Sequence, residues 1–94
     1  MIVVAGRIYL KAGTREEFLA ASRAAMNAAR GAQGCRDFVV AGDPLEPDRV
    51  NVYEEWESPA DLELFRGNGP APALTASIVR AEVSRHQVAS SGPA

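Results

Sequence analysis

From Ile2 to Lys11 apolar and mixed positions alternate. The even residues, Ile2, Val4, Gly6, Ile8 and Leu10, form a fully apolar set, whereas the odd ones, Val3, Ala5, Arg7, Tyr9 and Lys11, mix polar and amphipathic groups. A period of two predicts a strand whose even face meets the helices. Because Val3 and Ala5 are also apolar, cover is expected on both faces. Ala12-Gly13 is a turn, and Thr14-Arg15-Glu16-Glu17 has the form of a capping box, with Thr14 as N-cap. Phe18, Ser22, Ala25, Met26 and Ala29 then recur at spacings of three and four, the stripe of an amphipathic helix that runs to Arg30 and ends at Gly31 and Gly34.

Cys35 to Ala41 reads as a second strand and Arg49 to Glu57 as a third, separated by a loop with two prolines and expected to pair as a hairpin. In the third strand Val50, Val52, Glu54 and Trp56 share one face, and Asn51, Tyr53, Glu55 and Glu57 the other. Ser58-Pro59-Ala60-Asp61 is a helix start: an N-cap serine, a proline at the first position and an acid near the positive end of the dipole. Leu62 and Phe65 lie on one face of that helix, and Gly67-Asn68-Gly69-Pro70 breaks it. A short helix over 71–78 and a last strand from Val79 to Val88 follow. Residues 1–89 are thus expected to form one domain, and 90–94 a disordered tail.

The order β-α-β-β-α-β predicts an α+β fold of the ferredoxin-like kind: a four-stranded antiparallel sheet with both helices on one face. Tyr9, Tyr53, Val3, Ala5 and Val39 make the other face too apolar to leave in water. A second copy of the sheet, joined by an isologous two-fold contact, is the simplest cover. The expected assembly is a homodimer through the sheet face, a dimeric α+β barrel.

Composition narrows the functional classes. The chain has 94 residues, 47 % of them apolar, and much of that fraction is alanine, so the core is thin and self-association is expected to add burial. Net charge is −2 and the charges are interspersed, which recommends neither nucleic acid nor an anionic membrane as partner. No apolar run approaches the roughly 20 residues of a membrane span. The start lacks the basic region and long apolar stretch of a signal peptide, so the cytoplasm is the expected location. A single cysteine, Cys35, rules out an internal disulfide, and one cysteine with one histidine cannot build a structural zinc site within one chain. No metal or other cofactor is expected.

Several stretches carry a family resemblance. Ile2-Val3-Val4-Ala5-Gly6, followed by Lys11-Ala12-Gly13 and Glu16-Glu17-Phe18, resembles the start of antibiotic biosynthesis monooxygenase (ABM) domains. Gly34-Cys35 fits that family's turn before the second strand. Val52-Tyr53-Glu54-Glu55-Trp56-Glu57-Ser58 is similar to its tyrosine-glutamate-any-tryptophan-glutamate-serine run. The resemblance implies a homodimer with one pocket per subunit between sheet and helices. It also implies chemistry of the kinds found in the family: cofactor-free oxygenation of aromatic polyketides, haem degradation or quinol oxidation. Haem-degrading members place an asparagine, a tryptophan and a histidine where this chain has Gly6, Phe65 and about Thr75, so haem degradation ranks last. Many members carry histidine at the position of Phe65, and the polyketide oxygenases an amide at that of Val52. Those departures keep open a non-catalytic binding or stress-response protein, or a cyclase or isomerase on the same scaffold.

The candidate site residues follow from side-chain chemistry. Trp56 offers a flat wall and one N–H donor to a small aromatic ligand, or it is a core tryptophan. Glu54, a carboxylate on an apolar face, is a general base, the partner of an arginine such as Arg23, Arg80 or Arg85, or a side chain that escapes to water. His86, the sole histidine, is a proton shuttle or a surface or interface residue. Gly6, Met26, Val52, Leu62 and Phe65 are candidate substrate-binding walls; Gly6 either leaves room for a ligand opposite Ala21, Ala25 and Ala29 or lets the helix approach. Arg7, Tyr9, Tyr53 and Glu55 read as interface packing, with Arg7–Glu55 a candidate pair. Cys35 reads as packing.

Overall fold

The computed structural model describes residues 1–67 and 75–94. Its elements are β1 (Ile2–Leu10), α1 (Arg15–Arg30), β2 (Cys35–Gly42), β3 (Arg49–Trp56), α2 (Pro59–Arg66) and β4 (Ile78–Gln87). The strands pair antiparallel in the order β2-β3-β1-β4, the ferredoxin-like α+β arrangement. The helix predicted over 71–78 falls largely outside the described residues; Thr75 and Ala76 are helical, and Ile78 already belongs to β4. Residues 88–94 carry no helix or strand, although the Val88 amide donates to the Met1 carbonyl.

The alternation along the strands sorts side chains between two faces. Ile2, Val4 and Leu10 of β1 and Val50, Val52, Glu54 and Trp56 of β3 are buried, while their odd neighbours are half-buried or exposed. The buried residues form two groups. Ile2, Val4, Ala29, Phe38, Trp56 and Leu62 pack at one end, and Leu10, Phe18 and Val50 at the other. Between them α1 presents Ala21, Ala24 and Ala25, side chains too short to reach the sheet at Val40 and Val52.

The two helix starts behave differently. Ser58 caps α2 as its sequence suggests: its oxygen accepts from the Asp61 amide at 3.2 Å and its hydroxyl donates to the Asp61 carboxylate at 2.9 Å. Thr14 does not form the expected capping box. It has near-helical angles, and its hydroxyl donates back to the Lys11 carbonyl at 2.7 Å, so no side-chain oxygen caps α1. Arg15 instead ties the helix start to the β2–β3 loop, donating to the carbonyls of Asp43, Glu46 and Arg49. At the end of that loop Asn51 of β3, helped by the Glu46 and Leu45 amides, holds the Asp43 carboxyl down at about 2.

Gly6 corrects one expectation. The space left by its missing side chain is filled by the neighbouring strand and does not open toward α1. With φ at +155°, a Cβ here would lie 2.0 Å from the Glu82 carbonyl oxygen of β4 and 2.7 Å from the Val83 Cα. Both obstacles are backbone, so relief requires the β1–β4 ladder to part. Gly6→Ala is therefore expected to destabilise by roughly 1–3 kcal/mol. Equilibrium urea unfolding checks this, and an unchanged midpoint would show that β4 yields freely.

Candidate active site

The gap between the two core groups is a cavity of about 610 Å³. That volume suits a small-molecule site, for which roughly 300–1,000 Å³ is usual. Its floor is the helix-facing side of the sheet, with Ile8, Val40, Val52 and Glu54; its walls come from Phe18, Ser22 and the alanines of α1, and from Phe38 and Phe65. The Phe38 and Phe65 rings meet edge to face, with centroids 5.9 Å apart. Ser22 Oγ donates to the Phe18 carbonyl and is thereby occupied within its own helix. Glu54 and Arg66 are the charged residues of the lining.

Glu54 is only 7 % exposed. Strand parity turns it toward the helices, and its cross-strand neighbours Val4 and Phe38 surround it with hydrocarbon. Burial pushes its carboxyl above the ordinary value of 4.5. Two groups oppose that shift: the Trp56 indole N–H, which donates to Oε1 at 2.9 Å, and the charge of Arg66. The partners expected from the sequence are engaged elsewhere or absent from this site. Arg80 pairs with Glu82 and stacks on Tyr9, 4.2 Å from the ring centre, and Arg85 pairs with Glu63. Arg23 lies in a separate surface hollow with Met26, Asn27 and Arg30.

The other candidates divide clearly. Val52 and Phe65 line the cavity beside Glu54. Trp56 and Leu62 are fully buried in the adjoining core group, where the indole ring lies 5.3 Å from Phe65; neither forms part of the wall. Met26 packs against the same group, its sulfur accepting from the Val40 amide at 3.4 Å. Gly6 borders β4, as described above. His86 is exposed and pairs across from Val3, which places it on the face of the sheet opposite the cavity. Within one chain it cannot pass a proton to a ligand lying against Glu54. The same register sets Glu82, not Glu55, beside Arg7, and the two join at 3.4 Å. Cys35 is a half-buried thiol whose pKa burial raises, the opposite of what a nucleophile requires.

Pattern reading did not single out Ile8, Phe18, Phe38 or Val40 as lining residues, and Arg66 is the charged one it overlooked. It follows Leu62 by four and Phe65 by one, so helical spacing already put it on the inward side of α2. It also stands in the last turn of α2, where a basic side chain complements the helix dipole.

Comparison with known proteins agrees with this architecture. The family model described as antibiotic biosynthesis monooxygenase matches residues 1–74. The chain therefore belongs to the antibiotic biosynthesis monooxygenase family. Among solved structures, a conserved protein from Methanosarcina mazei Go1 superposes with a TM-score of 0.82 at 19 % identity, over 92 % of this chain and 90 % of its own. Rv0793 from Mycobacterium tuberculosis gives 0.79 at 17 % identity, over 98 % of each chain. A protein named antibiotic biosynthesis monooxygenase gives 0.83 at 18 %, over 96 % of this chain and all (100 %) of its own. Identities this low establish the shared fold alone. No curated protein matches the sequence. Among the described residues no helix is long and apolar enough to cross a membrane, and no three metal-ligating side chains converge.

Proposed function

We propose that this protein is a cofactor-independent monooxygenase of a small fused-ring aromatic substrate, and that Glu54 is its base. The observation that carries the reading is a buried carboxylate at the wall of an otherwise apolar cavity. A carboxylate so placed is a stronger base than one in water, and it acts where a carbanion is shielded from bulk solvent.

For a ring ketone with an acidic methylene, the chemistry closes without any further redox partner. Glu54 removes one methylene proton, and the resulting anion delocalises over the rings. The anion gives one electron to dioxygen, and the two radicals combine into a carbon–oxygen bond. The protonated Glu54 returns its proton to the peroxide. Loss of the second methylene proton with cleavage of the O–O bond leaves a carbonyl and one water. One dioxygen is consumed: one of its oxygen atoms enters the product and the other becomes water. The chain itself binds the plane, excludes water and moves a proton at the Glu54 carboxylate. Trp56 does not reach the cavity; it acts as a positioning residue through its bond to Oε1.

The test is oxygen uptake with anthrone, expected to give anthraquinone with one dioxygen consumed per substrate. Binding of anthrone without oxygen uptake would overturn the reading and favour a ligand carrier.

The open sheet face suggests that the working form is a homodimer. Val3, Ala5 and Val39 lie half-exposed there, and Tyr53 is 40 % exposed. Val3, Ala5 and Tyr53 lie on the central strands β1 and β3 and Val39 on the neighbouring edge strand β2, where a second copy of the same sheet would remove them from water. Sedimentation equilibrium is expected to give twice the chain mass, and Tyr53→Glu to shift the population toward monomer. A wild-type protein that remains monomeric at micromolar concentration would exclude this assembly.

A further inference from the structure

We propose that Arg66 selects acidic ligands: the aromatic molecule bound in the cavity carries an ionised oxygen group, a carboxylate or comparable oxyanion, that docks on the Arg66 guanidinium. The inference rests on the reading of the cavity as the ligand site and goes on to name the class of compound that occupies it.

The two charged residues of the lining have different surroundings. Glu54 is buried and already accepts the Trp56 N–H. Arg66 stands exposed at the end of α2 and, among the described residues, makes no hydrogen bond and no ion pair within 4.0 Å. The carboxylates that feel its charge are Glu54, deeper in the cavity, and Glu63 on its own helix. Glu63 is bonded to Arg85. The guanidinium thus keeps its donors available at the edge of an apolar hollow.

A planar fork of N–H donors is the group best matched to a carboxylate or similar oxyanion. A ligand with its rings between Phe38, Phe65 and Val52 and its anionic oxygen at Arg66 would satisfy both kinds of surface. A neutral hydrocarbon would satisfy the apolar lining alone. There is also a consequence for Glu54. An anion on Arg66 cancels part of the positive potential that now favours the Glu54 carboxylate, so ligand binding makes Glu54 more basic. Acidic substituents at the rim would therefore tune the base in the interior.

The test uses 9-anthracenecarboxylate and its neutral counterpart 9-anthracenemethanol, with binding measured by titration calorimetry on the whole chain at pH 8. Wild type is expected to bind the carboxylate about tenfold more tightly than the alcohol. Arg66→Gln should abolish that preference, weakening the carboxylate roughly tenfold and the alcohol less than twofold. Arg66→Lys, which keeps the charge but not the fork, should retain an intermediate preference. Glu54→Gln should strengthen carboxylate binding, because a nearby negative charge is gone. Equal affinity of the wild type for both probes, or equal weakening of both in Arg66→Gln, would overturn the role of Arg66 while leaving the cavity as a ligand site. Failure of both probes to bind at millimolar concentration would overturn both the role and the site.

Discussion

Glu54→Gln is expected to lower anthrone-dependent oxygen uptake by about a hundredfold or more, while the variant melts at a higher temperature than wild type at pH 8. The first effect follows from the loss of the base, since a positioned general base contributes roughly 10²–10⁴-fold. The second follows from linkage. Burial raises the folded-state pKa of Glu54 above its ordinary value of 4.5. Below that value the carboxyl is protonated in both states and burial of charge costs nothing. As pH rises the unfolded chain ionises first, so stability falls until the folded-state pKa is passed and is level thereafter. Glutamine has the same shape and still offers an oxygen to the Trp56 N–H, but it has no charge to bury. Its stability should be flat across that window. Wild-type turnover should rise with pH as Glu54 ionises, with a midpoint above the usual carboxylate range. Thermal melts at pH 4 and pH 8, with the pH profile of turnover, check the account. A Glu54→Gln protein that retains wild-type turnover would remove Glu54 from the chemistry.

Trp56→Ala should cost about 3–5 kcal/mol, the usual cost of deleting a large aromatic from a packed core. The indole is fully buried, lies against Phe65 and shares the core group of Ile2, Val4 and Leu62. At roughly 4–8 °C per kcal/mol for a domain of this size, the variant should melt far below wild type or fail to fold. Trp56→Phe keeps most of the packing and separates the two roles of the residue. It removes the N–H bonded to Glu54 Oε1, the first of the two influences that hold the carboxyl pKa down. The midpoint of its turnover profile should therefore move to higher pH, with a modest loss of stability. If Trp56 served only to fill the core, the melting temperature would change and the midpoint would not.

Most of the fold could be read from residue patterns because its signals are local. The period-two runs from Ile2 and from Arg49, the stripe from Phe18 to Ala29 and the Ser58-Pro59 start each lie within a few residues of one another, and each element begins or ends within one or two residues of expectation. Thr14 shows where local reading fails. The same hydroxyl can cap forward or bond back to the preceding turn, and its backbone angles led it to the Lys11 carbonyl. Glu54 stood out as a site residue because a carboxylate on an apolar face is anomalous in any strand. Its partner could not be identified, since three arginines met the charge requirement and the packing of α1 and β4 placed each of them elsewhere.

The chain by itself determined which side chains share a face, because alternation and helical spacing follow from backbone geometry alone. It determined that a carboxylate and an indole two residues apart would turn inward together, and that α1 would present alanines. The tertiary structure decided what lay opposite them. Register set Gly6 against the Glu82 carbonyl instead of a hollow, put His86 behind the sheet, and brought the end of α2 over Glu54 so that Arg66 joined the cavity. These are contacts between residues distant in sequence, and their partners are chosen by how whole elements pack.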